Sequence, residues 1–207
     1  VINQYMDTLN GPADFLEEPV SPVTGTKFEN AKSTKMVHIT EFTADLINHG
    51  KLRLDPSRND QYKITWHDSC NPARGMGIFE EPRYIIRKTC NNFYDMPPNT
   101  IRENTFCCGG GAGLGAGETE ELRMAGGLPR GNAVKYVQEK HGVNMLGCMC
   151  AIDRAALTEL CNYWAPGVEV IGVHEMVGNA LVMPDEIKRT VNLRMEPLPG
   201  MEDEADE

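Results

Sequence analysis

The texture of apolar and polar positions divides the chain into three stretches. Residues 1–35 carry Gly11-Pro12, Pro19, Ser21-Pro22 and Thr24-Gly25 with little periodicity, which reads as a linker or arm. Over residues 36–185 short apolar runs alternate with amphipathic ones, and residues 186–207 turn polar and then acidic, as a solvated tail does. In the middle stretch, Met36-Val37-His38-Ile39 reads as a short strand, with Thr40 as N-cap of a helix over 41–48 that stops at Gly50. Tyr62-Lys63-Ile64-Thr65-Trp66 alternates as a strand does. A helix follows over 80–88, with Pro82 tolerated in its first turn. Asn92-Phe93-Tyr94-Asp95-Met96 is a further strand candidate, ended by Pro97-Pro98. The pattern predicts helices over 118–124 and 132–140, separated by a Gly-Gly-Leu-Pro interruption at 126–129 and closed at Gly142. Residues 143–146 are strand-like, and 153–163 are helical, with Ala156, Leu157, Leu160 and Cys161 on one stripe. A near-continuous apolar run over 168–173 has the character of a buried parallel strand, and His174 opens a last helix to about residue 182.

Strands alternating with helices imply crossover connections and a mainly parallel α/β sheet. In such sheets ligands gather beyond the carboxyl ends of the strands. Cys70 follows one strand candidate and Cys148 follows another, so two distant thiols are expected at one edge.

Composition narrows the chemistry. A length of 207 residues suits one domain with tails, and 41% hydrophobic against 24% charged residues is an ordinary globular balance. Half of the net charge of −10 comes from the five acids of Glu202-Asp203-Glu204-Ala205-Asp206-Glu207, and no basic patch favours nucleic acid. No apolar run approaches the ~18 residues that span a bilayer, and no basic, apolar leader opens the chain. With seven cysteines, metal or redox chemistry in a reducing cytoplasm is expected ahead of a disulfide framework.

Five of those thiols form a pattern. Thirty-six residues separate Cys70 from the adjacent pair Cys107-Cys108, and thirty-nine separate Cys108 from Cys148-Met149-Cys150. Adjacent cysteines bridge each other poorly, so each needs another partner. The glycines after Cys108 let a bulky ligand approach backbone, and the N–H groups of Gly109 and Gly110 can donate to sulfur. One zinc ion takes about four ligands, so five thiolates favour an iron–sulfur cluster, with zinc as the alternative.

At His67-Asp68-Ser69-Cys70-Asn71-Pro72-Ala73-Arg74-Gly75 and Arg102-Glu103-Asn104-Thr105-Phe106-Cys107-Cys108-Gly109-Gly110-Gly111 the chain resembles the CCG-domain, heterodisulfide reductase-like family. Within it, these strings look most like the DsrK-type catalytic subunits of membrane redox complexes linked to dissimilatory sulfite reductase. The resemblance implies a Rossmann-like CCG domain over residues 36–185. It implies a noncubane 4Fe–4S cluster on Cys70, Cys107, Cys108, Cys148 and Cys150, exchanging electrons with a sulfur–sulfur bond. The implied partners are a DsrC-like sulfur-carrier protein, presented as a trisulfide, and a haem-bearing DsrM-like membrane subunit. The implied location is cytoplasmic, attached peripherally to the inner membrane. Two features depart from the pattern: the last pair is Cys-x-Cys where the family usually has Cys-x-x-Cys, and no ferredoxin-type cysteine run is present. The second implies a C-terminal portion of a longer subunit. The iron–sulfur subunit of a glycolate- or lactate-type oxidase is the rival within the family.

Other residues read more plainly. Cys90 and Cys161 are core thiols, and the methionines are core filler. His67 is a candidate proton carrier oriented by Asp68, His174 stands at another strand end, and His38 is structural. The string Gly111-Ala112-Gly113-Leu114-Gly115-Ala116 matches a dinucleotide fingerprint but lacks the preceding apolar strand.

Overall fold

The computed structural model of the chain describes residue 24 and residues 37–111 and 119–184. Apart from residue 24, the arm expected over 1–35 falls outside the described residues, as do the acidic tail expected over 186–207 and most of the glycine run after Gly111.

The backbone is mixed α/β, mostly helical, around a small parallel sheet. Its strands are β1 (Ile64–Trp66), β2 (Met145–Cys148) and β3 (Glu169–Gly172), in the order β1-β2-β3. Ile64 pairs with Met145, and Cys148 pairs with Gly172. Side chains alternate across β2 and divide the core in two. Leu146 and Cys148 face one cluster with Val134, Val137, Leu157 and Leu160. Met145 faces the other with Ile64, Trp66, Ile85, Ile86 and Met176. The first cluster is covered by α3 (Glu120–His141) and α4 (Ala151–Trp164). The second is covered by α1 (Ile39–Asn48), α2 (Glu80–Thr89) and α5 (Val173–Ala180).

Four expectations need correction. Residues 37–39 do not form a strand: the His38 ring accepts from the Thr40 N–H, and Glu41 accepts from the His38 N–H at 3.0 Å. That reciprocal capping starts α1 two residues early. Residues 92–96 supply only a single parallel bridge, from Phe93 to Ile64. The run over 168–173 is an edge strand, with Glu169 exposed and only Ile171 buried within β3. Finally, α3 passes unbroken through Gly126-Gly127-Leu128-Pro129. Packing against α4 overrides the glycine penalty of about 1 kcal/mol per residue. A Cβ on Gly127 would lie 2.5 Å from Leu160 Cδ1, and one on Gly131 would lie 2.7 Å from Trp164 Cβ. Gly142, at φ +70°, stops the helix where the pattern places its end.

Candidate metal centre

The carboxyl ends of β1 and β2 open onto a cavity of about 250 Å³. Cys70, Cys107, Cys108 and Cys150 line it, with His67, Arg74 and Asp153. All seven cysteines are free thiols. Cys70 leads into a π-helical turn, Asn71–Gly75, of the kind often found at functional sites. Cys150 is the N-cap of the 14-residue α4. Cys148 does not line this cavity but packs in one core cluster with Cys108. It closes β2 at 1% exposure and lines a neighbouring cavity with Arg154 and His174, which Cys150 borders as well.

The adjacent pair is presented by a short glycine-dependent strip. The Gly109 N–H donates to Cys107 Sγ and the Gly110 N–H to Cys108 Sγ, each at 3.3 Å. Their missing side chains let the strip pack closely on the helices, and Gly110 also lines the cavity. A Cβ on Gly109, at φ +83°, would sit 2.6 Å from the Arg123 carbonyl oxygen, and one on Gly110 would sit 2.8 Å from Ala156 Cβ. Both glycines therefore serve close packing against α3 and α4, and their N–H groups are directed at sulfur.

A buried polar network fixes the approach to that strip. Asp68 accepts both Arg83 Nη1 and Nη2 at 2.7 Å, and Arg83 also reaches Asp95 Oδ2 at 2.7 Å. Burial alone would raise the Asp68 pKa, but Arg83 outweighs it and holds the carboxyl below its ordinary value. Asp68 Oδ2 accepts the Arg102 N–H at 2.7 Å, which holds Arg102 at φ +54°. Such a conformation in a non-glycine residue needs this kind of enforcement. Thr105 Oγ1 donates to the Asp68 carbonyl at 2.8 Å and accepts from Arg130 at 2.8 Å.

Asp68 therefore does not orient His67. The two neighbours point to opposite sides, as alternation along extended chain dictates. His67 instead meets Asp153 of α4, with Nε2 3.7 Å from Oδ1, and the ligand atoms of His67, Cys108 and Asp153 all lie within 4.8 Å of one another. Burial lowers the His67 pKa despite Asp153, so the imidazole is neutral at physiological pH. Its Nδ1 and Asp153 Oδ2 are buried without hydrogen-bond partners. His174 bonds Thr43 Oγ1 at 3.1 Å on the far side of Cys148. Cys90 and Cys161 are in the core.

The donor set suits a soft cation. Burial pushes the Cys148 thiol up to about 12, and pushes Cys108 up as well. Buried thiols of this kind become thiolates when a metal centre supplies the compensating charge. Four thiols and two sulfur-directed N–H groups around one space fit an iron–sulfur cluster or a zinc ion.

No family model matches the chain, and no solved structure matches it. Curated proteins do. The Hdr-like menaquinol oxidoreductase iron-sulfur subunit 2 of Archaeoglobus fulgidus is 45% identical over 221 residues, covering 98% of this chain and 40% of that protein. The Hdr-like menaquinol oxidoreductase iron-sulfur subunit of Archaeoglobus profundus is 46% identical over 194 residues, 87% of this chain and 35% of that protein. Its relatives are heterodisulfide reductase-like. A subunit of the dihydromethanophenazine:CoB–CoM heterodisulfide reductase of Methanosarcina barkeri extends the kinship, at 31% identity over 71% of this chain and 34% of that protein. The chain thus spans well under half the length of these heterodisulfide reductase-like subunits. Among the described residues no helix is long and apolar enough to cross a membrane.

Proposed function

We propose that the chain is the cluster-bearing part of a heterodisulfide reductase-like oxidoreductase subunit of the DsrK type. In this reading Cys70, Cys107, Cys108, Cys148 and Cys150 ligate a noncubane 4Fe–4S cluster in a Rossmann-like CCG domain. The observation that carries it is the lining of one cavity at the sheet edge by Cys70, Cys107, Cys108 and Cys150, with relatives that are named iron–sulfur subunits. Cys148 is included because it lies two residues from Cys150 at the end of β2.

When bound, the cluster supplies or accepts electrons one at a time at a sulfur–sulfur bond. Reduction balances as one such bond, two electrons and two protons giving two S–H groups, and the reverse forms the bond. The cavity admits the substrate sulfur between the exposed Cys70 and Cys107, and His67 carries a proton at a ring nitrogen, oriented by Asp153. The substrate in this reading is a DsrC-like sulfur-carrier protein. Two relatives are named menaquinol oxidoreductase subunits, which supports exchange with a quinol pool through a haem-bearing, DsrM-like membrane partner.

One observation favours a second reading. Only four of the five thiols line the cavity, and four is zinc's usual number. Anaerobic reconstitution followed by EPR and metal counting separates the two. Iron with inorganic sulfide and a cluster signal is the expected result, whereas stoichiometric zinc without iron would sink the cluster reading. Formation of a stable complex with a DsrC-like protein tests the substrate.

A further inference from the structure

Arg130 of α3 is fully buried, yet no carboxylate among the described residues pairs with it. Its Nη2 donates to the Thr100 carbonyl and to Thr105 Oγ1, each at 2.8 Å, and Nη1 lies 2.8 Å from Met96 Sδ. Its guanidinium carbon sits 5.9 Å from the centre of the Phe106 ring, and its Nε has no partner. Burial lowers its pKa to about 10, so the charge persists at physiological pH. The charges of Asp68 and Asp153 reach it, but neither carboxylate is within an ion pair of it: Asp68 holds Arg83, and Asp153 faces the neutral His67 with one oxygen unpartnered.

A second guanidinium flanks the same strip. Arg74, exposed at the cavity mouth, donates Nε to the Glu103 carbonyl at 2.9 Å and Nη2 to the Thr105 carbonyl. Both cations thus grip the segment that runs into Cys107-Cys108, and both spend their donors on neutral acceptors. A buried, unpaired cation is a liability to the metal-free fold. It becomes favourable once thiolates at Cys107 and Cys108, which directly follow the Thr105-Phe106 segment it holds, carry an anionic centre, because attraction is strong where water is excluded.

We infer that Arg130 is the buried counter-charge of the thiolate centre at Cys107 and Cys108, and that its charge raises the reduction potential of a cluster held there. A fixed positive charge favours the more electron-rich state. This rests on the cluster reading above.

The test uses the full chain, reconstituted anaerobically, as wild type, Arg130→Gln, Arg130→Lys and Arg74→Gln, with the midpoint potential read by spectroelectrochemistry. Arg130→Gln lowers the potential. Arg130→Lys, measured at mildly acidic pH where a buried ammonium stays charged, remains near wild type. Arg74→Gln gives a smaller displacement that shrinks with added salt. Thermal unfolding supplies a readout independent of the potential: cluster loading stabilises wild type more than Arg130→Gln. Loading by the Lys variant but not the Gln variant also supports the assignment. Equal displacement in both Arg130 variants, no displacement in either, or equal failure of both to load would overturn it. A wild-type chain that takes no iron defeats the cluster reading itself. Iron in wild type with unchanged potentials defeats only the role of Arg130.

Discussion

At the residue scale, the strings around Cys70 and Cys107-Cys108 marked thiols that line one cavity, but not which neighbours face them. His67 and Asp68 are adjacent in sequence and face different partners, because alternation separates them and Arg83 claims the carboxylate. Asp153 and Arg130 carry no motif, and only the packing of α3 and α4 against the sheet edge brings them to the site. The Asp68–Arg83–Asp95 network gives the sharpest prediction. Arg83→Met leaves the buried Asp68 and the half-buried Asp95 without their cation and costs about 3–5 kcal/mol, measurable by urea unfolding. The Asp68 pKa is depressed on folding, so its contribution is present above the unfolded value of 3.8 and is lost as pH falls below it. Wild type therefore loses stability progressively below that pH, and Asp68→Asn, less stable at neutral pH, flattens that part of the profile. The thiols divide in the same way. Cys107→Ser, at an exposed position, abolishes metal uptake with little change in metal-free stability. Cys161→Ser, in the core, costs about 1–3 kcal/mol and leaves metal uptake intact.

At the element scale, strand and helix periods were legible wherever one face is buried. The parallel pairing followed from their alternation. Two features were not readable locally. The capping of α1 by His38 and Glu41 resembled a strand because Val37 and Ile39 are β-branched and flank a polar residue. The continuity of α3 through Gly126–Pro129 depends on α4, more than twenty residues further on. That dependence predicts opposite effects at two glycines. Gly126 faces open space, so Gly126→Ala stabilises by up to about 1 kcal/mol through helix propensity. Gly131 abuts Trp164, so Gly131→Ala destabilises by about 1–3 kcal/mol through overpacking. Thermal unfolding of the two variants side by side checks both signs.

For the whole molecule, the parallel sheet gathers residues from β1, β2, the Cys107-Cys108 strip and the start of α4 at one edge, as ligand sites in such sheets are gathered. Sequence spacing led to the expectation of five thiols at that edge, and four of them line its cavity. Cys148, the last residue of β2, borders the neighbouring cavity and packs in the same core cluster as Cys108, a placement set by packing that spacing does not show. The account stands on what those thiols hold. A visible-range absorption spectrum of the anaerobically prepared chain tests this most directly. The account predicts broad brown absorption that bleaches on reduction and is lost in Cys107→Ser. A colourless protein with one zinc per chain would contradict it.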